Sequence, residues 1–197
     1  IVHVCFRAHP DFLWLLLVDA VALAKTDEHL SRIATGLAEH FLAHYGSRMS
    51  EVEDAARAAF LDLEDTGSKS LALISDFVDT NDLVEANLVG ALNANYMFYL
   101  GLVDGDALKM SEGDILSEVW SSEEETRKDT REWVYSFLLM AYGPLEDEVV
   151  QNYTELSGTD AGRALNRALF SGFNKMYNDI SYALGMAVAR QMQVQEL

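Results

Sequence analysis

The chain of 197 residues carries one cysteine, Cys5, two prolines, Pro10 and Pro144, and no histidine beyond His44. Each shortage closes something off. A lone cysteine excludes an intramolecular disulfide and a cysteine-based zinc site. Two prolines leave room for long uninterrupted helices. Without histidine, any chemistry built on residues 49–197 would fall to carboxylates, tyrosines or lysines. No Gly-rich phosphate loop, nucleophile elbow or paired histidine–carboxylate metal motif is present. Paired carboxylates occur throughout so acidic a chain and identify nothing by themselves. Accordingly no catalytic residue, no metal ligand and no cofactor is assigned.

Positive charge is scarce too: 14 Lys and Arg stand against 32 Asp and Glu, a net charge of −18. Residues 1–48 hold 4 basic and 5 acidic groups, so the remaining 10 and 27 place almost all of the imbalance in residues 49–197. Such a surface repels phosphate backbones and anionic lipid, which argues against nucleic acid and charged membrane as partners. What the chain does have is apolar matter. Half of its residues are hydrophobic and 10% aromatic, enough for a sizeable core.

The first 48 residues read as a segment of their own. They contain every histidine (His3, His9, His29, His40, His44) and the cysteine. The chain begins at Ile1, so the true start is expected upstream or removed by processing. "FLWLLLVDAVALAK", Phe12 to Lys25, is shorter than the roughly 20 apolar residues of a membrane span. It has the look of a secretory signal core, with Ala22-Leu23-Ala24 as a cleavage site, but Asp19 interrupts it; a buried helix or strand is the competing reading. His40 and His44 lie four residues apart beside Glu39, yet no distant histidine completes a zinc site. Asp27 to Tyr45 has helical spacing through Leu30, Ile33, Leu37 and Phe41.

Residues 49–197 read as helix after helix. Ser50 and Glu53 have capping-box spacing, and Gly67 is expected to end that helix. An apolar stretch, Leu71 to Val78, leads to Asn81 or Asp82 as the cap of the next helix. There Ala86, Gly90 and Ala94 line one face at four-residue intervals, predicting a helix contact near the lower end of the roughly 8–10 Å typical of packed axes. Asn87, Asn93 and Asn95 are unusual inside a helix and are expected at solvent, at a polar helix junction or lining a cleft. Asp104 and Asp106 hint at calcium, but Leu108 and Ile115 occupy positions where an EF-hand needs oxygen ligands. Ser111 is expected to cap a helix with Asp114, turning Ile115, Val119 and Trp120 inward. Glu123-Glu124-Glu125 is expected to be a solvated turn, and Gly143-Pro144 a helix stop. Glu146, Asp147 and Glu148 suit the positive end of a helix dipole.

In "YTELSGTDAGRALNRALF", Gly158 is expected in the left-handed conformation and Thr159 as the cap of a new helix. Gly162 lets the new first turn pack closely. Ala161, Leu165, Leu169, Phe173, Met176, Ile180, Leu184 and Val188 then carry a helix of about 50 Å toward the C-terminus. The expected fold is all-α: a multi-helix bundle of antiparallel helices with a long C-terminal helix, preceded by the separate segment 1–48.

The same stretch resembles the tyrosine, serine/threonine and Ala/Pro-Gly-Arg/Gln signature of the bacterial family catalogued as domain of unknown function 2059 (DUF2059), in its alphaproteobacterial form. Tyr153, Gly162 and Arg163 match that signature in a structural role. The likeness covers roughly residues 50–197, taking in "EVEDAARAAF", "FVDTNDLVEANLVGALNANYMFY", "REWVYSFLLMAY" and "NDISYALG"; residues 1–48 fall outside it. The resemblance implies an all-helical, exported protein, periplasmic or secreted, and carries over no catalytic residues.

On function, the expectation is a non-catalytic binding or structural protein whose acidic face or Ala86/Gly90/Ala94 face docks a protein partner. The alternative is a carrier holding a small apolar ligand between helices near Tyr96, Tyr99, Phe173 and Tyr177, with Phe98 and Phe170 close in sequence. Self-association through the long C-terminal helix is a third reading. No segment is long and apolar enough to predict an integral membrane span.

Overall fold

The computed structural model describes residues 47–64 and 66–195, with side chains from 51 to 193. Cys5, the five histidines, the Phe12–Lys25 run and the helix expected over Asp27–Tyr45 lie outside the described residues. Those described form seven helices and no strand: α1 (Ser47–Glu64), α2 (Lys69–Thr80), α3 (Leu83–Asp104), α4 (Glu112–Ser121), α5 (Glu123–Tyr142), α6 (Asp147–Gly158) and α7 (Asp160–Gln195). The protein is an all-α bundle with a long C-terminal helix, and at 36 residues α7 extends about 54 Å. Among the described residues no helix is long and apolar enough to cross a membrane.

Several local expectations need correction. α1 already runs through Ser47–Ser50, so Ser50 is not its cap. The stretch from Leu71 to Val78 is the body of α2, placing Ile74, Phe77 and Val78 in the core. Asp82 precedes α3 in the left-handed conformation (φ 52°) but makes no capping hydrogen bond, while Asn81 is buried. Glu123–Glu125 form the first turn of α5 rather than a loop, because carboxylates there complement the helix dipole. A single residue, Ser122, joins α4 to α5. Gly158 is not left-handed: among the described residues positive φ occurs at Gly67, Asp82 and Asp106. Thr159 instead makes the corner in extended conformation (φ −70°, ψ 162°), and its hydroxyl accepts from the Gly162 N–H at 3.1 Å, as a cap should.

Two hydrophobic clusters organise the bundle. The larger gathers Phe60, Ile74, Phe77, Val78, Leu83, Val134, Tyr135 and Leu138 from α1, α2, α3 and α5. Phe60 stacks on Tyr135 (centroids 5.2 Å apart), and the Arg131 guanidinium lies over both rings, 5.4 and 5.0 Å from their centroids. The smaller cluster, Leu88, Leu92, Ile115 and Val119, fastens α4 to α3.

The longest pair, α3 and α7, packs along its length and runs parallel. Gly90 faces Asn174, Gly101 meets Gly185, and Gly105 meets Ala189, so partner positions rise together along both helices. α2 and α6 do the same: Lys69 pairs with Asp147, Phe77 stacks on Tyr153, and Thr80 touches Gly158. Thus the corner units α2–α3 and α6–α7 stack in the same direction, with α4 and α5 carrying the chain back. The buried stripe of α7 is also not the aliphatic series read from the sequence. Ala161 and Leu165 are exposed, whereas Asn166, Gly185 and Ala189 are buried. Close backbone approach selects small residues at the seam, and the aliphatic row lies beside it.

Candidate functional site

The α3–α7 seam absorbs one expected docking face. A side chain added at Gly90 would lie 2.7 Å from Asn174 Oδ1, so this face is met by the chain's own α7. Ala86 and Ala94 flank it, both half-buried. Amides extend the seam at its N-terminal end. Asn81 Nδ2 donates to the Phe77 carbonyl at 2.8 Å, and Asn81 Oδ1 accepts from Asn166 Nδ2. Asn166 Oδ1 and Asn178 Oδ1 are buried with no hydrogen-bond partner among the described residues. Asn87 folds back onto the Leu83 carbonyl at 2.7 Å, and Asn93 and Asn95 are exposed.

Of the aromatics named near a ligand site, Tyr96 and Tyr99 pack on one hydrophobic cluster and Phe170 on the other. Tyr96 and Tyr99 pack on the small α3–α4 cluster, where the Tyr96 hydroxyl donates to Glu112 Oε1 at 3.3 Å. Phe98 meets Tyr99 edge-on with centroids 6.1 Å apart. Phe170 packs on the larger cluster. Phe173 and Tyr177 follow it on α7, both half-buried.

Of the three signature residues, Tyr153 is packed most thoroughly. It stacks on Phe77 at 5.2 Å and meets Tyr142 edge-on at 6.1 Å, joining α6 to α2 and α5. Burial, above all, holds the Tyr142 and Tyr153 phenols above their ordinary range. Gly162 sits against the end of α6, where a methyl group would lie 2.6 Å from the Ser157 carbonyl oxygen. Arg163 is exposed on the first turn of α7.

Ion pairs tie the outer helices down. Arg57 of α1 donates to Glu132 at 2.6 Å and Asp129 at 3.1 Å on α5, and the Glu132 bond chiefly raises its pKa. Arg127 of α5 is held protonated by Glu85 of α3 first and then by Glu123. These groups are engaged in joining helices. Among the described residues no group of three or more His, Cys, Asp or Glu is placed to hold a metal ion.

Among the described residues large apolar side chains stand exposed on several helices, with two groups of them on α6–α7 and on α4. On α6, Val149 and Leu156 are two turns apart and 50% and 61% exposed, with Leu165 of α7 at 55%. On α4, Leu116 and Trp120 are one turn apart and 43% and 62% exposed. Trp120 therefore does not turn inward as expected. Ile115 and Val119 are the α4 side chains buried against α3, and Trp120 lies a further 100° or so around the helix. The sequence signal for this was the adjacent pair of i, i+4 rows, 115/119 and 116/120, only one of which a single neighbour can bury.

No protein-family model, no curated protein and no solved structure matches this chain.

Proposed function

We propose that the chain is a non-catalytic helical binding protein of the bacterial envelope, which docks a protein partner on the free face of its α6–α7 unit. The observation that carries this reading is the exposure of Val149, Leu156 and Leu165 on that unit. Packed helices ordinarily turn their apolar stripe to a neighbour and a polar face to water. Here the α6–α7 pair leaves large aliphatic side chains half or more exposed, which supports an interaction surface. The DUF2059-like signature at Tyr153, Gly162 and Arg163 supports the envelope location.

Native mass spectrometry of the full chain, beside the Val149→Glu/Leu156→Glu variant, tests the docking. A complex with a partner protein, or with a second copy, is expected for the unaltered chain and lost in the variant, with helical circular dichroism unchanged. A bound mass of small-molecule size that survives the substitutions would replace this reading with the carrier of an apolar ligand. A reporter active only after export, fused behind the complete coding sequence, checks the location, and cytoplasmic signal alone would remove it.

A further inference from the structure

We infer that α1 is a hinged strap, which releases from α5 and closes again as a unit while the rest of the bundle stays folded. Among the described residues α1 packs on α5, and Phe60 is its one fully buried side chain. The other ties lie at the rim: Arg57 pairs with Glu132 and Asp129, and Glu64 with Arg131. Apart from Glu132, these side chains are 37% to 46% exposed, so water and salt compete with each pair.

The α5 side of the contact keeps its partners when α1 leaves. Lys128 Nζ lies 3.9 Å from Glu132 Oε1, so that carboxylate retains a cation without Arg57. The Arg131 guanidinium stays over the Tyr135 ring, 5.0 Å from its centroid, and the Tyr135 hydroxyl stays hydrogen-bonded to Ser75 Oγ at 3.1 Å. Neither charge is stranded, and release chiefly exposes the Phe60 ring and the Tyr135 ring it stacks on.

The α1 side is equally self-sufficient. Ala55, Ala56, Ala58 and Ala59 favour helix, and the Thr66 hydroxyl and N–H both donate to the Leu63 carbonyl, at 2.8 and 3.0 Å, closing the last turn without the bundle. Gly67 follows in the left-handed conformation (φ 65°), with nothing within 4 Å of an added methyl group. Backbone rotation there meets no neighbour, and this position supplies the hinge.

Native-state hydrogen exchange of the full chain, resolved by residue, tests the strap. A released helix of 18 residues melts and re-forms on the order of a microsecond, so its amides exchange while it is away from α5. Amides of residues 53–63 should share one opening equilibrium, with protection at least about a hundredfold below that of α3 and α7. Arg57→Gln and added salt should each raise that opening about two- to fivefold, the scale of exposed ion pairs, with α3 and α7 unchanged. Phe60→Ala should raise it about tenfold or more. Protection of α1 equal to that of α3 and α7 would mean that it opens only with the whole bundle, and would overturn the proposal. Protection graded from one end of α1 and indifferent to Arg57→Gln would overturn it in favour of fraying. Equal acceleration of all three helices by Arg57→Gln would overturn it in favour of global destabilisation.

Discussion

Gly101 of α3 and Gly185 of α7 meet backbone to backbone: a methyl group at Gly185 would lie 3.0 Å from the Gly101 Cα, and one at Gly101 would lie 3.0 Å from the Met186 nitrogen. No rotamer change relieves contact with backbone atoms. The parallel α3–α7 pair therefore depends on two positions having no side chain, and Gly90 and Gly105 continue the same close seam.

Gly185→Ala should destabilise the protein by about 1–3 kcal/mol, the usual cost of overpacking. Gly172 lies on the same helix with nothing within 4 Å of an added methyl. There the change to alanine should stabilise, by up to about 1 kcal/mol of helix propensity. Urea midpoints of the two variants decide the matter; equal shifts would show that the seam is looser than described.

The Asn81–Asn166 pair should behave as a unit. Asn166→Ala leaves the Asn81 acceptor buried and unmatched, at a cost of about 1–3 kcal/mol. In a double-mutant cycle the two alanine variants should couple by at least about 0.5 kcal/mol. Strict additivity would mean that the amides do not bind one another in solution.

At the α6–α7 corner, Gly162→Ala should lower the melting temperature clearly, because the methyl group meets the Ser157 carbonyl oxygen at 2.6 Å. Gly158→Ala should be mild, since its nearest contact is the Thr80 methyl at 3.3 Å. A reversed ranking of the two melting temperatures would disprove this account of the corner.

Tyr142 and Tyr153 predict the alkaline limit of stability. Burial raises both phenols above their ordinary value of 10.0, so the folded state retains these protons longer than the unfolded chain. Their contribution is complete below pH 10 and disappears as pH rises through the higher folded values. Denaturant midpoints should hold to about pH 9 and then fall, and Tyr142→Phe should lessen that alkaline fall. If the variant's profile superposes on that of the unaltered chain, the assignment fails.

Much of the helical reading needed only local information. The Ser111–Asp114 capping box, the acidic first turn of α6 and the Thr159 cap are each complete within four or five residues, so spacing alone reveals them. Where a neighbour decides, the reading failed. Trp120 and Ile115 look alike to periodicity, and only the position of α3 leaves one out in water while burying the other. Likewise Leu165 is exposed and Asn166 is buried, although apolarity alone ranks them the other way.

Composition and periodicity thus determined that this chain forms helices, where several begin, and that its surface is acidic, because backbone hydrogen bonding, capping and charge act within a turn or two. Tertiary structure decided which helices lie side by side and in which direction. The Gly101–Gly185 contact requires two glycines more than eighty residues apart to fit one space, and the Asn81–Asn166 bond joins amides 85 positions apart. The same long-range packing left α4 and α6 with unburied apolar faces, since one helix stripe can be covered by only the neighbours the fold supplies.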